Sequence, residues 1–435
     1  MSRTPLPALL LTLAACGAPA DADDAGTDAT TGTSDMSEGT GTIGQVSSES
    51  GEPPTTGATL EPTTDATTGD ATTGGDPVLQ LDGPCVAGPA APTRLAVITN
   101  NFMDPARVHV LDLATRELAQ DIAPAPADPA LAWGQGKLVV IGRFGINTLD
   151  VLDGQSWAPL MSLAVQVDGV ADANPQALSF AADGRAYLTL FASAAAPIYD
   201  LTLPPAASEV GALDLTAFAD RDGSPEAGVS FACGGTLFVG IQRLVNFAPV
   251  DLSYLVAIDL ASGAPIDLDL GQPGPQALPL LGPWPKQVRL DPADPAGHTA
   301  LVLTSGIERV DLSHGTSAWA VDPAALAAVG VDGFDVQAFE VAADGASAYI
   351  LATDDEFPAA TLLHVGLDGA AAPVTLLDKL TTREKVLERA GDLLWIGDAD
   401  PAQPRIRVLD LAQDPPAELD FVPTPGDPYL FLALP

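Results

Sequence analysis

Six times between Ala130 and Trp395 a short apolar stretch runs into a tight glycine-containing turn and out into a second stretch of β-formers. The phrases are ALAW-GQG-KLVVIG from Ala130, ALSFA-ADG-RAYLTLF from Ala177, GVSFA-CGG-TLFVGI from Gly228, QVRLDPADPAG-HTALVLT from Gln287, AFEVA-ADG-ASAYIL from Ala338 and KVLER-AGD-LLWIG from Lys385. Apolar runs on either side of a glycine turn are hairpin signals. The turn glycines Gly136, Gly184, Gly235, Gly297, Gly345 and Gly391 lie 48, 51, 62, 48 and 46 residues apart. A repeat of about 50 residues built only from strands predicts a ring of sheets, because one such unit cannot cover its own apolar faces.

A third strand follows each hairpin and ends in an apolar-Asp phrase, around Asp112, Asp153, Asp200, Asp259, Asp311, Asp368 and Asp410. The carboxylate there is predicted to bond the backbone N–H two residues on and set the bend into an outer strand, so these aspartates are structural. Seven phrases predict seven blades, yet only six inner hairpins are complete. The first blade starts at its second strand, Arg94 to Thr99, while Tyr429 to Leu434 follows Asp427-Pro428 just as Ala130 follows Asp128-Pro129. Pairing the terminal strand with Arg94 to Thr99 closes the ring and removes the exposed edge of an open sheet. The expected fold is therefore all-β: a seven-bladed β-propeller of four-stranded antiparallel blades over residues 81–435, closed by the C-terminal strand and preceded by a disordered tether. At the level of pattern it resembles bacterial propeller repeats of the YVTN and WD type over residues 92–435. Neither YVTN nor a Trp-Asp dipeptide recurs, so the resemblance implies architecture and not function.

The N-terminal part reads differently. Arg3, the apolar run Leu6 to Leu13 and the small residues after it have the order of a secretory signal. The stretch Leu13-Ala14-Ala15-Cys16-Gly17 resembles the lipobox of bacterial lipoproteins. That resemblance implies a signal peptide over 1–15, acylation of Cys16 and, with Gly17 in place of an inner-membrane retention Asp, sorting to the outer membrane on its periplasmic or surface face. Four Lys against fourteen Arg and abundant Ala resemble the style of myxobacterial lipoproteins. Residues 16–80 form the linker. From Gly17 to Asp76 there are twelve acidic residues, fifteen Thr, no Lys, Arg or aromatic residue, and three copies of DATTG. Such a segment cannot bury a core and is expected to be a flexible tether with a reach of roughly 40 Å.

Charge narrows the function. Eighteen Lys and Arg against 57 Asp and Glu give a net charge of −39, which repels nucleic acid. The four histidines, His109, His298, His314 and His364, have no metal-binding spacing, and no nucleophile-elbow, phosphate-loop or dinucleotide glycine motif is present. The sequence thus favours a membrane-anchored envelope lipoprotein whose propeller is a non-catalytic binding or scaffold module for protein or glycan partners, with no cofactor. The alternative is a calcium-supported propeller enzyme, a lactone or ester hydrolase or a sugar or alcohol dehydrogenase.

Three groups of residues are singled out. In Asp220-Arg221-Asp222-Gly223-Ser224-Pro225-Glu226, the carboxylates of Asp220, Asp222 and Glu226 resemble the opening of a calcium loop, although the third Asp/Asn and the closing bidentate Glu are missing. Leading into the innermost strands stand Asp128, Asn174, Glu226, Asp335, Glu384 and Asp427, interrupted by Pro283-Trp284-Pro285. They are expected around one channel mouth as a site for a cation or polar ligand, with Lys286 and Arg383 beside them. Finally, Cys85 and Cys233 lie nearly opposite in the ring, so a disulfide needs the entry segment to cross one face of the disc. The ring geometry favours two separate thiols.

Overall fold

The computed structural model describes residues 78–83, 85–86, 91–100, 105–245, 248–249, 252–268, 274–333, 335–353, 359–382 and 385–435. The signal peptide, Cys16 and nearly all of the linker lie outside them, as do Arg383 and Glu384. No helix among the described residues is long and apolar enough to cross a membrane.

The chain forms seven antiparallel sheets of four or more strands, each a blade of a propeller. Their innermost strands are Pro428–Leu434, Pro129–Gly134, Pro175–Phe180, Ala227–Cys233, Gln287–Leu290, Val336–Val341 and Leu387–Ala390, for blades 1 to 7 in that order. The second strands, such as Lys137–Gly142 and Leu393–Asp398, are buried along almost their whole length. Neighbouring blades cover both faces of them, which is why they read as unbroken apolar runs rather than alternating ones. Clusters around Trp395, Phe339 and Phe238 each join residues of successive blades into one packed wall.

Closure of the ring follows the sequence expectation. Pro428–Leu434 pairs antiparallel with Arg94–Thr99, from Arg94 opposite Leu434 to Ile98 opposite Leu430. All seven third-strand aspartates act as turn acceptors. Asp112 takes the N–H groups of Ala114 and Thr115 at 3.0 and 2.8 Å, and Asp153 those of Gln155 and Ser156 at 3.2 and 2.8 Å. Asp200, Asp259, Asp311, Asp368 and Asp410 accept from the residue two further on in the same way.

The long interval between Gly235 and Gly297 comes from blade 4. It inserts a small hairpin, Leu244–Val245 with Ala248–Pro249, and reduces its outer edge to Ala264–Pro265 and Leu278–Pro279, both paired with Tyr254–Asp259. A short helix, Pro323–Ala327, follows blade 5. Asp322 caps it by accepting from the Ala324 N–H at 2.7 Å, and Pro323 occupies the first turn, where no N–H is needed.

The expectation of two separate thiols needs correction: Cys85 and Cys233 form a disulfide. The entry segment does cross the disc. Leu79 is buried against blade 5 and donates its N–H to Ser313 O at 2.9 Å, so the domain begins slightly before residue 81. Cys85–Val86 then adds to the inner edge of Ala227–Cys233, Cys85 facing Cys233. By Thr93 the chain has reached blade 1, where the Thr93 N–H donates to Leu434 O at 2.9 Å. Another small difference lies in the blade 4 turn. Gly234, not Gly235, takes the left-handed conformation, with φ 54°. A Cβ on Gly234 would also lie 3.0 Å from Gly83 N, so the crossing strand requires glycine there twice over.

Candidate functional site: the central channel

The seven innermost strands enclose a cavity of about 1810 Å³. Topology gives it two unlike ends. One is the face where loops enter the innermost strands; the other carries the hairpin turns and is crossed by the entry segment, whose Cys85 and Ala91 to Thr93 line the cavity.

At the loop end the described lining residues include three cations and several side-chain amides, each cation already bonded to a neighbouring group. The Arg143 guanidinium pairs with Asp128, donating from Nε at 3.0 Å, and reaches Gln176 Oε1 at 3.4 Å. Gln176 Nε2 donates to Asn174 Oδ1 at 2.8 Å. On the far side Lys286 Nζ donates to Val336 O at 2.9 Å, and Lys385 Nζ to Lys286 O at 2.8 Å, so these ammonium groups tie blades 5, 6 and 7 together. Gln287 Oε1 accepts from the Phe339 N–H at 3.0 Å and adds a further link between blades 5 and 6.

Deeper in, blades 5, 6 and 7 each contribute one charged side chain to a trio in which Glu340 and Glu388 are buried and Arg289 is half-buried. Arg289 binds Glu340, with Nε at 2.8 Å from Oε1, and its Nη2 lies 3.3 Å from Glu388 Oε2. Burial raises the Glu388 carboxyl to about 8, the Glu340 charge adds to this, and Arg289 and Arg389 oppose it. Burial also raises Glu340, against the pull of the Arg289 guanidinium. For Arg289 burial works against the charged form, yet the two carboxylates outweigh it and hold the guanidinium ionised. Arg289 touches both carboxyl groups, and charges this far from water persist only when they are paired.

The residues expected at the mouth are placed as follows. Asp128 is drawn to Arg143 and Asn174 to Gln176, behind the cavity surface. Asp335 braces blade 6, its carbonyl accepting from the Thr353 N–H at 3.0 Å. Asp335 and Asp427 are absent from the cavity lining, and Glu384 lies outside the described residues. Asn174, Glu226 and the interrupting Trp284 share a left-handed backbone, with φ 47°, 47° and 57°. In blades 3 to 5 this position in the repeat is thus a conformational corner.

Glu226 turns away from the channel. It is buried, accepts from the Leu244 N–H at 2.9 Å, and meets Asp220 and Asp222, with ligand oxygens of all three within 4.8 Å of one another. Burial raises its carboxyl to about 7, and the charges of Asp220 and Asp222 add to that. Asp220 Oδ2 is buried without a hydrogen-bond partner among the described residues. These oxygens could hold a hard cation, and this is the one group of three or more metal-type side chains that the described residues bring together. It lies outside the channel lining.

His109 illustrates the opposite outcome for a candidate side chain. It is fully buried in blade 1, Nδ1 accepts from the Asp121 N–H at 3.1 Å, and Nε2 lies 2.9 Å from Thr99 Oγ1. Burial lowers its pKa, so it is a neutral structural ring. Among the described residues the cavity lining includes no histidine. The trio of Arg289, Glu340 and Glu388 was hidden from sequence reasoning because its members are 51 and 99 residues apart.

No family model and no curated protein sequence matches the chain. Among solved structures, the periplasmic gluconolactonase PpgL of Pseudomonas aeruginosa is similar over 79% of this chain and 99% of its own, with TM-score 0.52 and 17% identity. A Bacteroides fragilis protein named provisionally as a 6-phosphogluconolactonase matches 80% of this chain and 99% of its own, with TM-score 0.54 and 12% identity. A protein of unknown function from Desulfotomaculum acetoxidans matches 78% and 98%, with TM-score 0.50 and 12% identity. At such identities the similarity establishes the seven-bladed propeller and nothing about activity.

Proposed function

We propose that this chain is a lipid-anchored envelope protein whose propeller is a non-catalytic binding module, taking glycan or protein groups into the loop end of its central channel. The observation that carries this reading is the composition of the channel wall. It encloses about 1810 Å³, it carries the side-chain amides of Gln176, Gln242, Gln287 and Gln337 on its wall, and the described residues that line it include no group of three metal-type side chains. Sites of this kind recognise polar ligands by placed donors on a rigid wall. The crossing strand and the Cys85–Cys233 bond narrow access from the opposite face. Cys16, through the lipobox that it completes, supplies the membrane attachment in this reading.

The test is affinity capture from envelope extracts with the lipidated protein, a Cys16→Ala form, and a form with Gln176→Leu and Gln337→Leu in the channel. Loss of membrane fractionation in the first variant and loss of captured material in the second are the expected results. Capture that persists with the altered channel would reject it as the site.

A second reading, a calcium-supported hydrolase of lactones or esters, is favoured by one observation: the meeting of Asp220, Asp222 and Glu226. Lactonase names among proteins of similar fold make lactones the substrates to try first. Hydrolysis of gluconolactone above the spontaneous rate, abolished by chelator and by Asp222→Asn, would replace the binding reading with this one.

A further inference from the structure

One position of the repeat differs in a single blade. The residue before the turn aspartate is Leu111, Leu152, Ile258, Val310, Leu367 and Leu409 in blades 1, 2, 4, 5, 6 and 7, always aliphatic and buried. In blade 3 it is Tyr199, 2% exposed, whose hydroxyl has no hydrogen-bond partner among the described residues. An unpartnered buried O–H is a cost that the aliphatic residues avoid. The turn that follows differs too. Residues 200–208 form a longer connection than 112–117 and 153–158, its counterparts in blades 1 and 2, and include the 3₁₀ turn Pro205–Ala207. Ser208 Oγ donates to Pro205 O at 2.9 Å and the Asp200 N–H to Ser208 O at 2.8 Å, which fixes the shape of this turn. Between it and the outer strand of blade 2, Pro159–Ala164, lies a cleft of about 280 Å³. Buried Leu163 and Tyr199 line its floor, and exposed Ser162, Pro205, Ala206 and Glu209 its rim. The cleft shares no residue with the channel lining.

We propose that this cleft binds one neutral pyranose residue of a glycan, its ring against Leu163, Pro205 and Ala206 and one of its hydroxyl groups between Tyr199 and Glu209. Size is the first argument. Sites for drug-sized ligands enclose about 300 to 1,000 Å³, so a cleft just below that range admits a single ring and little more. The donor set is the second. Burial raises the Tyr199 pKa and the Glu209 charge adds to this, so the phenol keeps its proton and has a hydrogen bond to donate. An ammonium group has no acceptor for that bond, and a carboxylate is repelled by Glu209. A hydroxyl group accepts from Tyr199 and donates to Glu209 at once. The net charge of −39 on the chain acts against anionic ligands in the same sense.

The experiment is a saturation-transfer NMR titration of the protein with the methyl pyranosides of D-glucose, D-galactose and D-mannose, and with glucosamine as a cationic probe. At least one neutral pyranoside should bind, more tightly than glucosamine. Tyr199→Phe should weaken that binding about tenfold, the loss of one hydrogen bond, and Ala206→Trp on the exposed rim should abolish it by filling the cleft. The melting temperature of Tyr199→Phe should equal or exceed that of the wild type, because no group of the protein loses a bond. A fall in melting temperature with unchanged binding would make the hydroxyl structural. Binding that either variant leaves intact, tighter binding of glucosamine, or no binding of any pyranoside overturns the inference. Binding lost in the Gln176→Leu and Gln337→Leu form but kept in Tyr199→Phe belongs to the channel, so this site can fail while the channel reading stands.

Discussion

Glu308 is fully buried, and its carboxylate receives four donors: the N–H groups of Leu281 and Gly282 at 2.7 and 2.9 Å, Thr304 Oγ1 at 2.8 Å and Ser317 Oγ at 2.6 Å. It fastens the loop into blade 5 to the third strand of that blade. Glu308→Ala leaves four donors without their acceptor, two of them fully buried, and should cost about 3 kcal/mol, read as a lower urea midpoint at unchanged slope. Glu308→Gln should also destabilise, because its amide NH₂ would face other donors. A neutral result for both would mean that the loop is held by packing alone. Glu388 gives a pH prediction. Its folded pKa, about 8, lies above the ordinary 4.5, so the stability it contributes is complete below the ordinary value and is lost as pH rises through about 8. Between about pH 6 and pH 9 the wild type should therefore lose more melting temperature than Glu388→Gln, which does not titrate. Parallel curves for the two proteins would show that Glu388 is already ionised at neutral pH. The contrast with the turn aspartates explains what the sequence could reveal. Asp112 or Asp153 bonds within three residues of itself, so its role is written locally. Glu308 and Glu388 have partners 26 and 99 residues away, and no local pattern marks them.

At the scale of elements, inner hairpins were legible because second strands are buried on both sides and glycine turns recur. Outermost strands were not. Leu118–Pro124 and Ala417–Pro423 are mostly exposed, so their composition is that of a loop. The entry segment was hidden for a different reason: its path depends on contacts with turns of blades 4 and 5 that exist only once the ring has formed. That path yields a prediction. Removing the disulfide by Cys85→Ser/Cys233→Ser opens a loop of 148 residues, and the chain-entropy argument gives up to about 5 kcal/mol, less whatever the unfolded chain retains. A fall in thermal midpoint on adding reductant, absent from the double variant, is the expected result. Gly234→Ala should be nearly as damaging, since it combines a left-handed backbone with a 3.0 Å approach to Gly83. If Gly234→Ala left the midpoint unchanged, the crossing strand would not be seated as described.

On the scale of the whole molecule, the ring gathers at its axis charged side chains that the sequence keeps far apart. Lysines and arginines scattered along the sequence converge because each blade delivers its innermost strand to the same axis, and that convergence cannot be seen in a linear charge count. The ring also makes stability depend on its last strand. Pro428–Leu434 buries Tyr429, Phe431 and Leu434 almost completely and supplies every partner of the inner edge of Arg94–Thr99. Exposing three such side chains costs about 5 to 9 kcal/mol, comparable with the whole stability of a typical domain at about 5 to 15 kcal/mol. A chain ending at residue 427 should therefore lose cooperative unfolding and self-associate through the edge of Arg94–Thr99. A synthetic peptide covering 424–435, added in excess, should restore a monomeric species in size-exclusion chromatography, because it reinstates the missing pairing. Should the truncated chain remain monomeric and unfold cooperatively without the peptide, the seven blades would be stable as an open arc, and closure by the terminal strand would not be what holds the channel in shape.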